Sequence, residues 1–109
     1  MQMSGKVIPV SSGELEQYIR RHTLVLADFY GEGCAPCGMI KPTVERLAEK
    51  YDGRAAVVAV DVNREKELAD RYRIQAIPTV LVFRDGMVIA QETGPRLDGI
   101  YEEILDANL

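Results

Sequence analysis

Cys34 and Cys37 are separated by two residues, Cys34-Ala35-Pro36-Cys37, and they are the only cysteines in a chain of 109 residues. Two are too few for the disulfide framework of a small secreted scaffold. A tetrahedral zinc site takes four ligands. His22 is the only histidine, so one chain supplies neither four thiolates nor two thiolates with two imidazoles. A zinc ion shared between two chains stays open. Haem attachment needs His directly after the second Cys, where Gly38 stands. An iron–sulfur cluster takes four thiolates. As a static staple the pair closes a loop too short to remove much unfolded-state entropy. The favoured chemistry is therefore that of a redox-active dithiol.

The surroundings of the pair suit that chemistry. Cys34 falls just after an apolar run and at the start of a helical pattern. A helix N-terminus carries about half a positive charge and stabilises a partly buried anion by up to about 2 kcal/mol. At 1.36 kcal/mol per pH unit this brings a thiol from about 8.5 to roughly 7. Such a thiol balances ionisation against intrinsic nucleophilicity. Cys37 lies one helical turn further in, more buried and aimed at Cys34, placed to resolve a mixed disulfide. Asp28 interrupts the apolar run Leu24 to Tyr30. If buried and unpaired, its carboxyl rises towards neutrality and can exchange protons with a thiol near pH 7. The alternative is a strand residue that turns to solvent or bonds locally. Pro36 fits the first helical turn, whereas Pro42 is interior and meets the carbonyl of Gly38, which predicts a kink. Proline at Ile77-Pro78-Thr79 opens a strand, for which a trans turn is the ordinary expectation.

The elements that must position these residues alternate in type. Lys6 to Val10 reads as a short strand. Ser11-Ser12 caps a helix with Leu15, Tyr18 and Ile19 on one face. Thr23 to Tyr30 is a nearly continuous apolar run, as in a strand buried on both faces. A helix from about Cys34 to Tyr51 carries the stripe Met39, Ile40, Val44, Leu47 and Tyr51, and Gly53 stops it. Ala55 to Val62 is a second buried strand, and Arg64 to Tyr72 a short helix with Leu68, Ala69 and Tyr72 inward. Thr79 to Phe83 and Met87 to Gln91 form a hairpin across Arg84-Asp85-Gly86. The last helix runs from about Leu97 to Ala107, with Leu97, Ile100, Tyr101, Ile104 and Leu105 as its stripe. The order β-α-β-α-β-α-β-β-α is that of an α/β fold. His22 reads as a solvent-facing residue after the first helix. Glu14, Glu16 and Arg20-Arg21 read as a solvated face.

Composition narrows the classes. Hydrophobic residues make up 47% and charged residues 28%, which excludes a disordered chain, and the length suits one domain, residues 1–109. The net charge of −4 is a poor footprint for nucleic acid. The longest apolar run, Ala55 to Val60, is far short of the roughly 18–20 residues of a membrane span. Residues 1–10 lack the apolar stretch of a signal peptide, which points to the cytoplasm.

In their order and spacing these segments resemble the thioredoxin family over essentially the whole chain. Ala27 to Pro42 resembles its active-site stretch, with Asp28, the C-x-P-C pair and the helix proline. Asp61-Val62-Asn63 resembles the end of its third strand, and Arg73 to Thr79 the segment leading into its cis-proline. Phe83-Arg84-Asp85-Gly86 resembles its hairpin, and Gly94 the glycine beside its substrate groove. The resemblance implies a thioredoxin fold, a central mixed five-stranded sheet flanked by four helices. It implies that Cys34 and Cys37 form a redox disulfide and that Pro78 is cis. It gives Asp28 the role of proton acceptor for Cys37, through water. Gly33, Ala35, Pro36, Ile77, Pro78 and Gly94 then rim a shallow groove for an extended substrate segment. The implied activity is reduction of protein disulfides by a monomer without metal or bound cofactor, recycled by a flavoprotein thioredoxin reductase. A disulfide oxidant or isomerase, and a binding module with idle cysteines, are the alternatives.

Four departures from the family pattern stand out. Gly33 occupies the position of its rim tryptophan, and the chain has no tryptophan at all. Tyr30 replaces a second tryptophan. Gly38 stands where the family carries Lys or Arg. The family's lysine near the buried Asp is replaced by an apolar residue at or near Val57, which makes Asp28 easier to keep protonated.

Overall fold

A computed structural model describes residues 5–109, so the first four residues of the segment read for a leader lie outside the described residues. Nine elements follow in order: β1 (Ile8–Pro9), α1 (Ser12–Arg21), β2 (Leu24–Tyr30), α2 (Ala35–Lys50), β3 (Ala56–Asp61), α3 (Lys66–Arg71), β4 (Thr79–Arg84), β5 (Met87–Thr93) and α4 (Asp98–Asp106). The strands form one sheet in the order β1-β3-β2-β4-β5. β1 and β2 run parallel to β3. β4 runs antiparallel to both β2 and β5. This is the mixed five-stranded sheet with four helices that the sequence implies.

β2 and β3 are central, and their side chains alternate between two cores because successive residues of a strand face opposite ways. Leu24, Leu26, Val57, Val80 and Val82 pack against Ile40, Val44 and Leu47 of α2 and Tyr101 and Leu105 of α4. Val25, Ala27, Phe29, Val58, Val60, Leu81 and Phe83 pack against Leu15 and Tyr18 of α1 and Leu68 of α3. Burial on both faces is why these runs are almost continuously apolar. By the same alternation Asp28 belongs to the α2 face.

Local chemistry fixes the helix ends. Ser11 caps α1, its N–H donating to Glu14 Oε1 at 2.9 Å in a capping box. Cys34 caps α2, with Pro36 in the first turn, where an absent N–H goes unmissed. α2 continues through Pro42 without interruption, leaving the Gly38 carbonyl without its intrahelical donor. The hairpin turn places both Asp85 and Gly86 at positive φ, as an Asp-Gly turn requires.

Three expectations are corrected. Met39 is 69% exposed and not part of the α2 stripe, because the buried face is centred on Cys37, Ile40, Val44 and Leu47. Leu97 is the N-cap of α4, 82% exposed, and Ile100 is also exposed, so the α4 stripe reduces to Tyr101 and Leu105 with Ile104 partly buried. Asp98 faces α2 instead: Arg46 Nε donates to its Oδ2 at 2.8 Å and the buried Thr43 hydroxyl to its Oδ1 at 2.7 Å. These bonds hold the Asp98 carboxyl well below the usual carboxylate range, Arg46 having the larger effect. His22 is only partly solvent-facing. It stacks on Tyr18 with ring centroids 5.3 Å apart, and its Nε2 is buried without a partner among the described residues. Burial accordingly lowers its pKa.

Candidate active site

The end of β2, the start of α2 and the start of β4 meet at one place. β4 is antiparallel to β2, so Thr79 at the head of β4 pairs with Phe29 near the tail of β2. Cys34 sits in the turn that follows β2. Cys34 and Cys37 form a disulfide, with Cα atoms 5.3 Å apart. The Cys37 N–H donates to Cys34 Sγ at 3.2 Å, the backbone donor that a helix N-terminus offers its cap. Cys34 Sγ also lies 3.8 Å from the carbonyl oxygen of Ile77. Cys37 is buried, whereas Cys34 is partly exposed. Thus the outer sulfur faces arriving groups and the inner one lies behind it.

The Ile77–Pro78 peptide is cis, as the family resemblance implies. The Pro78 carbonyl accepts from the Gly94 N–H at 2.8 Å, which brings the start of β4 and the end of β5 together. Thr79, buried and unforeseen from sequence, donates its hydroxyl to the Ala76 carbonyl at 2.6 Å and braces the segment before the proline. A Cβ at Gly31 would lie 2.8 Å from Ile77 Cδ1, so the end of that side chain would have to shift to admit one. Gly33, Ala35 and Pro36 are exposed beside Cys34. No hydrogen bond among the described residues ties them to Ile77 or Gly94, so chain adjacency to Cys34 is what holds them near the site. Gly33 has φ +70°, a conformation that a side chain there would strain.

Asp28 is 7% exposed, and its Oδ1 has no partner among the described residues. Burial raises its pKa to about 7. Ala59 pairs with it across β3, and Val57 pairs with Leu26 two residues earlier, so the neighbouring strand brings no cation to this carboxyl. Asp28 and Cys37 line one cavity of about 410 Å³, together with Cys34, Gly38 and Lys41. The structure therefore gathers Cys34, Cys37, Asp28, Ile77, Pro78 and Gly94 from three regions of the chain. Among the described residues no group of three or more His, Cys, Asp and Glu side chains is gathered for a metal ion.

Residues 6–106 match the family model Thioredoxin. The chain belongs to the thioredoxin family. It is 39% identical over 87 residues to thioredoxin C-2 of Corynebacterium nephridii, covering 80% of this chain and 81% of that protein. It is 38% identical over 84 residues to a thioredoxin of Staphylococcus epidermidis, covering 77% and 81%. Among solved structures it superimposes on a single-substitution mutant of a thioredoxin from Halobacterium salinarum with TM-score 0.92 and 30% identity, over 99% of this chain and 95% of that one. The thioredoxin of Plasmodium falciparum superimposes with TM-score 0.86 at 27% identity, over 94% and 100%. As a thioredoxin with an intact C-x-x-C pair, the chain is a thiol–disulfide oxidoreductase, an electron carrier whose disulfide forms and is re-reduced in each cycle. None of the helices among the described residues is long and apolar enough to cross a membrane.

Proposed function

We propose that this thioredoxin works in the reducing direction on protein disulfides, as a single cytoplasmic domain and a monomer. Cys34 thiolate attacks one sulfur of the substrate disulfide, and the other substrate sulfur leaves as a thiolate. A mixed disulfide now joins Cys34 to the substrate. Cys37 gives its proton to the Asp28 carboxylate and attacks Cys34 Sγ. The second substrate thiolate leaves and takes a proton from solvent. Two electrons have passed to the substrate, and the protein holds the Cys34–Cys37 disulfide. A flavoprotein thioredoxin reductase returns the two electrons.

The observation that carries this reading is the asymmetry of the pair. Cys34 Sγ accepts a backbone N–H at the head of a 16-residue helix and is partly exposed. Cys37 is buried and shares a cavity with an unpartnered carboxyl. The first arrangement favours a thiolate, and the second supports a base for the resolving thiol. Gly33, Ala35, Pro36, Ile77, Pro78 and Gly94 form the docking groove in this reading. The Ile77 backbone offers strand-like hydrogen bonds to an extended substrate segment.

The deciding experiment is an equilibrium titration of the couple against a dithiothreitol redox buffer, read by thiol alkylation and mass. A potential at or below the cytosolic glutathione poise, roughly −220 to −320 mV, is expected for a reductant. A value near −180 mV, in the disulfide-isomerase range, would sink the assignment of direction.

A further inference from the structure

The loop between β5 and α4 carries a cation that the thiol chemistry does not use. Backbone contacts tie this loop to the redox site. The Gly94 N–H donates to the Pro78 carbonyl at 2.8 Å, and the preceding Ile77 carbonyl lies 3.8 Å from Cys34 Sγ. Arg96 folds back over the glycine, with Nη1 3.7 Å from where a Gly94 Cβ would stand. Two bonds hold the guanidinium there. Nε donates to Glu92 Oε1 at 3.0 Å, and Nη1 donates to the Pro95 carbonyl at 3.2 Å. Nη2 takes part in neither, so one arm of the fork stays open to a ligand. Pro95, Arg96 and Leu97 are all exposed, Leu97 by 82%. The loop thus presents a fixed cation between two exposed apolar side chains.

We propose that Arg96 selects among substrates, favouring protein disulfides with an Asp or Glu a few residues from the reacting cysteine. The inference rests on the reading of Ile77, Pro78 and Gly94 as part of the groove for an extended substrate segment. Each residue of an extended chain advances about 3.3 Å, so a substrate whose cysteine reaches Cys34 passes Gly94 within a few positions. A carboxylate at that point meets the open arm of the guanidinium in a charge-assisted hydrogen bond. Glu92 keeps the guanidinium oriented while sharing its charge. The rest of the molecule works in the opposite sense. The chain has a net charge of −4, and Glu14, Glu32, Asp61 and Glu65 line a cavity on the Tyr30 side of the site, with Arg64 as the one cation among its lining residues. The long-range field therefore draws basic peptides, and a preference for acidic ones needs a cation in contact with the peptide.

The test uses short synthetic peptides with a single cysteine, joined as a mixed disulfide to thionitrobenzoate. The fully reduced protein supplies the two electrons. Cys34 thiolate attacks the peptide sulfur, and thionitrobenzoate leaves as a coloured thiolate. Cys37 then attacks Cys34 Sγ, and the peptide leaves as a thiolate that takes a proton from solvent. Asp, Asn or Lys is placed two, three or four residues from the cysteine, on either side. Second-order rate constants for colour release are compared as ratios between peptides on the same protein, so a general change in activity cancels. At about 0.15 M salt the best Asp peptide should react roughly three- to fivefold faster than its Asn counterpart, the scale of an exposed ion pair. The gain should shrink at about 1 M salt. Arg96→Ala should bring the ratio to one or below, and Arg96→Lys should keep part of it. Glu92→Gln, which leaves the guanidinium charge unshared, should raise it. A parent that prefers Lys peptides, or a preference that survives Arg96→Ala, overturns the proposal. A backbone N-methyl group beside the cysteine of the Asn peptide tests the groove separately, because it removes a strand-like hydrogen bond. If methylation on either side has no effect, the groove reading itself is wrong. If it slows exchange while Asp and Asn peptides react alike, only the role of Arg96 fails.

Discussion

The two sulfur atoms of this site differ in surroundings, and the proposed mechanism gives each a different step. Cys34 Sγ has a backbone donor and an open side; Cys37 is enclosed beside Asp28. Cys34→Ser should abolish turnover of a protein disulfide while leaving the fold intact. A chain that only docks partners would keep its partner affinity in that variant. Cys37→Ser should stop after the first exchange and accumulate a mixed disulfide, seen as a mass adduct that a small thiol removes. Asp28→Asn should leave the first exchange unchanged and slow the second by about 10²-fold or more. Single-turnover kinetics resolves the two phases. Much of this was legible at the level of single residues. A C-x-x-C pair with one histidine in the chain leaves few alternatives, and a carboxylate inside an apolar run announces a buried acid. Thr79 and Asp98 were not legible. Each is a common polar residue whose role depends on a partner, Ala76 or Thr43 and Arg46, that only the folded chain brings near.

At the scale of elements, two glycines bracket the redox pair and should answer oppositely to the same substitution. Gly38 lies inside α2 with free space at its Cβ position. Gly38→Ala should stabilise the protein by up to about 1 kcal/mol, the helix propensity difference. Gly33 has free space too, but its φ of +70° favours glycine. Gly33→Ala should destabilise by about 1 kcal/mol, the strain of a left-handed residue. Denaturant midpoints of the two variants would show the split, and a shift of the same sign in both would refute it. A larger side chain at Gly33, a tryptophan included, would meet the same backbone strain. The element order was readable because strand and helix periods differ so plainly in β2, β3 and α2. Helix faces were less so. Met39 and Leu97 fit an apolar stripe by spacing, yet the burial of Cys37 and the Asp98 bonds to α2 set the rotation of each helix.

Asp28 also leaves its mark on the molecule as a whole. The folded chain holds its proton up to about pH 7, against an ordinary value of 3.8. Between those values the unfolded chain has released a proton that the folded chain keeps. Stability should therefore fall as pH rises from about 4 to about 7, and level off above. A gap of about three pH units corresponds to about 4 kcal/mol at full extent. Asp28→Asn should remove this slope, so the variant's advantage over the parent should be small at pH 4 and largest at pH 8. Urea unfolding at the two pH values measures it, and an equal advantage at both would rule out the burial penalty. In the proposed mechanism, that instability accompanies a base beside the inner thiol.

The antiparallel pairing of β2 with β4 has a further consequence in time. Ile77, whose carbonyl lies against Cys34 Sγ, comes 43 residues later in the chain. A ribosome adding 5–20 residues per second therefore delivers the reactive cysteines roughly 2 to 9 seconds before the strand that shelters them. Each newborn copy passes through an interval in which its thiols are made but its active site is not.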